Sequence, residues 1–136
     1  MGLTRRENWA TLLYQAIEDR TDSRFVWGEF DCCLFAAECV EAITGVNVMP
    51  DVKYKNQKEA VEVIQSNGGL SAMVTSILGP SRFPLMASRG DVVMRHDDAT
   101  DMMSLGVCVG SLVAFPAMRG VSYVNLSDCI CSWKVG

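Results

Sequence analysis

The sequence contains a single histidine, His96, among its 136 residues. Imidazole is the side chain that titrates near neutral pH, so a reaction that depends on a histidine base has only this residue to use. Long apolar runs are also missing, since none approaches the roughly 20 residues of a membrane-spanning helix. The segment after the first six residues is amphipathic and lacks the apolar stretch of a signal peptide. We therefore expect a protein that is made in the cytoplasm without a signal sequence and has no membrane span.

Basic residues show no clustering. The formal net charge is −4 and the sequence pI is about 4.9. Arg5, Arg6, Arg20 and Arg24 are scattered among acidic residues, whereas a nucleic-acid-binding protein usually has a basic face. Nucleic acid is therefore not an expected partner.

Helical patterns fill the first part of the chain, and short β-prone runs fill the part after Gly90. The length is that of one domain, residues 1–136, and a hydrophobic content of 49% is that of a globular protein. The predicted helices are 7–20, 31–44, 56–67 and 70–78, and the predicted strands are 92–94, 105–109, 112–115, 121–124 and 130–135. Helices followed by strands indicate an α+β fold.

The six cysteines stand at positions 32, 33, 39, 108, 129 and 131. An even number suggests disulfides in a small secreted protein, but this length without a signal peptide favours reduced core thiols. Cys129 and Cys131, with Cys108 and Cys32 or Cys33, form an alternative zinc or iron–sulfur ligand set, although structural zinc sites prefer Cys-x-x-Cys pairs. On a strand Cys129 and Cys131 would share one face. Core packing is therefore favoured, and no metal or other cofactor is expected.

The segment around Cys32 carries the clearest chemical signal. Asp31 stands at the N-cap of the predicted helix 31–44 and Gly45 at its C-terminal end, and the helix is apolar on nearly every side. Cys32 falls in the first turn, where free backbone N–H groups and the helix dipole favour the thiolate and can hold an oxyanion. Cys33 should point elsewhere. The alternative for a cysteine in an apolar helix is a core role, to which Cys33 and Cys39 are assigned.

Three segments resemble the NlpC-type peptidases, which are papain-like cysteine hydrolases. Residues 25–28, Phe-Val-Trp-Gly, followed by Asp31-Cys32, resemble the start of their nucleophile helix, which carries Asp-Cys-Ser-Gly-Leu. Residues 90–93 resemble their Gly-Asp-Leu-Val strand, and residues 104–110 resemble the next strand, His-Val-Gly-Ile-Tyr-Leu-Gly. The resemblance implies a papain-like α+β domain in which the Cys32 helix packs on a small antiparallel sheet or half-barrel, with Cys32 in the nucleophile position.

A more specific resemblance is to a short relative of these peptidases in tailed phages and prophages. Its features are a leading Trp helix, Trp-Gly-x-x-Asp-Cys, a Gly-Asp strand, a Leu-Gly-x-Cys-x-Gly strand and a late Trp, which are present here from Trp9 to Trp133. The resemblance implies a phage context.

The likeness breaks at the family's catalytic histidine, whose position is Ser104 here. Serine does not take up a proton at neutral pH. The residue that orients the histidine corresponds to Pro116, which offers no side-chain hydrogen bond. A base and an orienting group are therefore both missing beside the nucleophile position.

His96 is flanked by Arg95, Asp97 and Asp98 and is expected in an exposed strand end or turn. The alternative is that a bent loop returns His96 to Cys32 as a substitute base, with Asp97 or Asp98 orienting it.

Three functions are consistent with these residues. The favoured one is a structural or assembly protein of a phage tail tip or baseplate, located in the virion tail and bound to tail and hub proteins, because a lost base argues for a non-catalytic use of the fold. Its interface is expected at exposed Trp9, Trp133 or Met102, the last in a predicted loop. The alternative is an active cysteine amidase or endopeptidase that acts on peptidoglycan peptides through Cys32 with a non-standard base. A third is an acyltransferase or thioesterase that needs only an activated thiol.

Overall fold

The structure, a computed structural model, describes residues 2–136 and has its four α-helices before residue 79 and its strands after residue 91. The helices are α1 (Trp9–Glu18), α2 (Cys32–Thr44), α3 (Gln57–Ser66) and α4 (Leu70–Leu78). The strands are β1 (Val92–Asp97), β2 (Met102–Cys108), β3 (Leu112–Pro116), β4 (Val121–Asn125) and β5 (Cys131–Trp133). Short 3₁₀ turns lie at Pro84–Met86 and Leu126–Asp128. The predicted α+β order is confirmed.

The strands form one antiparallel sheet in the order β4-β3-β2-β1-β5. The β1–β2 hairpin is longer than predicted, because Asp97 pairs with Met102 and His96 with Met103. The expectation of a loop at 102–103 is therefore wrong. Backbone pairing extends both strands beyond the apolar residues that made them recognisable in the sequence.

Each face of the sheet is covered by a different layer. The helices pack on the face that carries Val92, Leu105 and Val107. The other face carries Val93, Val113 and Phe115 and is covered by the connection that holds Leu126 and Cys129. Cys129 belongs to this second layer, whereas Cys131 packs against the helical one. The prediction that both cysteines share one face is wrong, since Cys129 lies before β5 begins.

Helix α2 runs through the core, as its sequence predicts. Its buried residues lie on nearly every side of the helix: Cys33, Phe35, Ala36, Ala37, Cys39, Val40 and Ile43. The side chain of Asp31 caps its start, and Gly45 ends it in the left-handed conformation with φ 82°. The caps fix the position of Cys32 as the first residue of the helix.

The large aromatic side chains expected at the surface are mostly covered. Trp133 is fully buried, and its indole N–H donates to Thr75 Oγ1 at 3.1 Å. Trp9 is partly buried beneath the Arg5 guanidinium, 4.3 Å from the ring centre. Met102 is also partly buried. The expectation of an exposed Trp133 is wrong, because α4 covers it.

No helix between residues 2 and 136 has the length and apolar character to cross a membrane.

Candidate functional site

Asp31 organises the start of α2. Its carboxylate is fully buried and accepts hydrogen bonds from Leu34 N at 3.0 Å and Gly28 N at 2.9 Å. The Tyr54 hydroxyl donates to the same carboxylate at 2.8 Å. Burial is the main cause that raises the pKa of Tyr54, so this hydroxyl keeps its proton. A buried charge with three donors is stably held, and it fixes the loop before Cys32.

Cys32 is a partly buried residue that packs against the core beneath the helices. Hydrogen bonds from the Cys33 thiol, the Leu105 backbone and the Ser104 hydroxyl lower the pKa of Cys32, against the opposing effects of burial and the Asp31 charge. Cys33 carries the proton of the pair, since its bond to Cys32 and its burial raise its pKa well above the usual value. Cys33 is buried in the core, as the role assigned to it from the sequence predicts. The arrangement favours a thiolate at Cys32.

Ser104 occupies the place that the resemblance implies for a histidine. It is the third residue of β2, and its hydroxyl is one of the groups that lower the pKa of Cys32. The hydroxyl donates to a thiolate, but it does not accept the proton of a thiol as imidazole does at neutral pH. The structure thus brings Cys32 and Ser104 together without a base between them. Pro116, at the position of the orienting residue, is the last residue of β3 and pairs with Val121.

His96 lies near the end of β1 and is engaged by its own hairpin. Its Nδ1 lies 3.0 Å from Asp98 Oδ1, and its Nε2 lies 2.8 Å from Asp101 Oδ1. Both carboxylates are exposed, and they raise the pKa of His96, with the larger effect from Asp101. Asp97 accepts instead from the Ala99 backbone. The described residues thus bond both ring nitrogens within residues 96–101, and His96 is not among the groups that shift the pKa of Cys32.

Comparison with known proteins identifies the family. Residues 4–135 match the family model described as a domain of unknown function, DUF6950. The chain belongs to this family. No curated protein matches the sequence. The fold is similar to that of the NlpC/p60 domain of the peptidoglycan hydrolase SagA, with a TM-score of 0.57 and 15% identity over 93% of this chain and 95% of that one. This DUF6950 domain therefore has the NlpC/p60, papain-like fold.

The Gly-Asp pair before β1 has a structural role that the sequence did not reveal. Asp91 is buried; its Oδ1 accepts from Val135 N and Arg5 Nη2, both at 3.0 Å, and its Oδ2 accepts from Ser88 N at 2.9 Å. A side chain at Gly90, whose φ is 95°, would come within 3.0 Å of Arg5 Nη1. The pair joins both ends of the chain to the sheet in this DUF6950 domain.

Tyr54 is the other residue of the site that sequence reasoning missed. It lies between two exposed lysines, in a segment with no periodic pattern. Its partner Asp31 is 23 positions away in the sequence. An isolated tyrosine in a polar stretch gives no signal, because its partner is set by the tertiary fold.

The cysteines show no metal-ligand arrangement in the part of the chain that the structure describes. All six are free thiols. Within residues 2–136, no three His, Cys, Asp or Glu side chains gather at metal-binding distance.

Proposed function

We propose that this protein is a structural or assembly component of a phage tail tip or baseplate, built on an NlpC/p60 fold that has lost its catalytic base. The observation that carries the proposal is Ser104 on β2, a serine at the position where the resemblance implies the family's catalytic histidine. The only histidine, His96, is bonded to Asp98 and Asp101 instead. The phage context rests on the motif resemblance from Trp9 to Trp133. The expected location is the virion tail, and the expected partners are tail and hub proteins.

The proposal implies that the protein does not hydrolyse amides, and the reason is chemical. A Cys32 thiolate can attack a carbonyl, and free N–H groups at the start of α2 favour the resulting oxyanion. An amine leaving group must then be protonated, and this is the task of the acid form of the base. Neither Ser104 nor the high-pKa thiol of Cys33 supplies that proton efficiently at neutral pH. Removing a member of such a catalytic unit typically lowers kcat by a factor on the order of 10⁴ to 10⁶.

A cysteine hydrolase acting on peptidoglycan peptides is the second candidate. The observation that favours it is the position of Cys32 as the first residue of α2, where a cysteine is placed to act as a nucleophile. Its surroundings also lower the pKa of Cys32. A thioesterase or acyltransferase would use the same thiolate, since a thiolate leaving group needs no proton.

The test is turnover of peptidoglycan fragments containing intact stem peptides, followed by mass spectrometry. We expect the wild-type protein to release no more product than Cys32→Ser. Ser104→His restores an imidazole at the family's position and is expected to raise both the reactivity of Cys32 and the release of product. Wild-type turnover that disappears in Cys32→Ser would overturn the non-hydrolytic proposal and establish the second candidate.

The virion location is tested separately. Purified particles from a producing strain are fractionated into heads and tails, and the protein is quantified by mass spectrometry in each. We expect it in the tail fraction. Recovery only outside the particles would contradict the tail assignment, whatever the outcome of the hydrolysis assay.

A further inference from the structure

An apolar surface stands at the edge of the sheet beside β5, far along the chain from Cys32. Phe83, Leu85 and Met86 expose 79%, 72% and 54% of their surface, and Ile130 exposes 46%. Arg82, Phe83, Met86 and Ile130 line an open groove of about 440 Å³, here called the Phe83 groove. Single exposed apolar residues are ordinary, but a contiguous group of large ones marks an interaction site.

The backbone that presents these side chains is held in place. Met86 N donates to Phe83 O and Ala87 N to Pro84 O, both at 3.0 Å, which closes the 3₁₀ turn. The Ser132 hydroxyl also donates to Phe83 O at 3.0 Å. A preorganised surface loses little conformational entropy when a partner binds. Little of the free energy gained by burying the exposed apolar side chains would therefore be offset by ordering the backbone.

The occupant of the groove must contact side chains and not the edge of the sheet. Arg82 N donates to Ser132 O at 2.8 Å, and Ser132 N donates to Arg82 O at 3.0 Å. These two bonds cover the outer edge of β5. An added strand from a partner would need the same backbone groups, so strand addition is disfavoured.

The charge of the groove specifies the partner further. Arg82 is the charged residue that lines it, and its guanidinium takes no part in the ion pairs found among residues 2–136. An arginine beside an apolar groove is best matched by a carboxylate that adjoins an apolar side chain. We propose that the Phe83 groove docks a different protein, one that presents an apolar side chain with a neighbouring Asp or Glu.

Two other occupants fit less well. A second copy that paired groove to groove would place Arg82 opposite apolar residues or another Arg82, with no carboxylate supplied by the groove itself. An anionic membrane surface attracts clusters of basic residues, whereas the groove has one and the chain has a net charge of −4.

This inference rests on the assembly role proposed above, for which it names the docking surface, but it can fail separately. Loss of the groove contact with the protein still present in tails would leave the assembly role and overturn only the groove. Turnover by Cys32 would change the proposed function and would leave the groove contact to be judged by its own test.

The test places the photo-crosslinking amino acid p-benzoylphenylalanine at position 85 of the full chain, in cells that naturally produce the protein. A matched control places it at position 14, where Tyr14 on α1 is 64% exposed. We expect a crosslink to a different protein from position 85 and not from position 14. The crosslinked peptide should contain an apolar residue next to Asp or Glu.

The charge match is tested in the same position-85 protein. Arg82→Glu should lower the crosslink yield by roughly tenfold, whereas Arg82→Lys should retain most of it. Thermal unfolding of each variant checks that the fold is intact. The proposal is overturned if no crosslink forms, if position 14 crosslinks equally well, or if the crosslinked partner is a second copy. It is also overturned if Arg82→Glu leaves the crosslink yield unchanged. Flotation of the protein with vesicles of phosphatidylcholine and phosphatidylglycerol, abolished in Phe83→Ser, would assign the groove to a membrane instead.

Discussion

Carboxylates bond basic side chains at both ends of strand β1, in opposite environments. Before the strand, Asp91 bonds Arg5 with side-chain exposures of 5% and 19%. Near the end of the strand, His96 bonds Asp98 and Asp101, and both aspartates are almost fully exposed. Asp91 also accepts hydrogen bonds from two backbone N–H groups. The bonds of His96, in contrast, join residues of a single hairpin.

This difference shows that a motif which resembles a peptidase family can have a structural role. The buried carboxylate must be paired, since an unpaired charge or N–H group in the core is costly, so Gly90-Asp91 serves the fold. The exposed pairs are screened by water and salt, and they contribute little to stability. Strand β1 thus follows a carboxylate that maintains the fold and ends near a histidine that is bonded within its own hairpin.

Removal of the buried carboxylate is expected to have the largest effect. Asp91→Ala leaves Arg5 and the Val135 N–H without their partner, and it should lower the free energy of unfolding by about 3 kcal/mol. Urea denaturation measures the loss. Asp98→Ala, at the exposed end of β1, is the matched control and should leave the midpoint unchanged. Equal losses in both variants would contradict the distinction between the two ends.

A second buried carboxylate, Asp31, sharpens the comparison at the start of α2. Tyr54→Phe removes the hydroxyl that donates to Asp31 at 2.8 Å, and two backbone donors remain. Loss of one hydrogen bond to a buried charge should lower the free energy of unfolding by about 1.5–3 kcal/mol in urea. Tyr14→Phe, on the exposed side of α1, should have no measurable effect. A neutral Tyr54→Phe would show that the two backbone donors suffice.

The thiol of Cys32 provides a third, smaller test. Ser104→Ala removes a hydroxyl that lowers the pKa of Cys32, so less thiolate is present at neutral pH. The rate of alkylation at pH 7 should fall, and the fall should be small, because Ser104 has the smallest of the effects that lower the pKa of Cys32. The rate is measured against pH, with Cys32→Ser to identify the labelled site. An unchanged profile would show that Ser104 does not stabilise the thiolate.

Local rules predicted much of this structure. Asp31 and Gly45 fix the ends of α2 through short-range capping, so Cys32 could be placed at the first turn from the sequence. The prediction for Ser104 comes from the resemblance alone. Residues 104–110 match a strand that, in the family, begins beside the nucleophile. The role of each residue stays a prediction, since fold does not determine function.

The remaining features depend on contacts between distant residues. Arg5 and Asp91 are 86 positions apart, and Trp133 and Thr75 are 58 apart, so neither pairing leaves a local pattern. Met102 and Met103 resemble a loop in sequence, yet they pair with the polar end of β1. Tertiary context overrides propensity at such positions. The exposed Phe83 and Leu85 likewise lie in the connection that contains Pro80 and Pro84, and no periodicity predicts which way their side chains face.

The smallest expected effect concerns His96, and it tests the other end of β1 directly. Asp101 and, less strongly, Asp98 raise the pKa of His96, so its NMR titration should have a midpoint above 6.5 that falls more in Asp101→Asn than in Asp98→Asn. A raised folded-state pKa stabilises the protein below the unfolded pKa, and the stabilisation is lost as the pH rises through the folded value. For exposed groups this change in stability should be too small to detect by unfolding.

His96→Ala should leave the alkylation rate of Cys32 unchanged across the same pH range, because both ring nitrogens are bonded within residues 96–101. Slower alkylation of Cys32 in His96→Ala would mean that the hairpin moves and brings His96 to the thiol. The protein would then have the Cys-His pair of a working hydrolase.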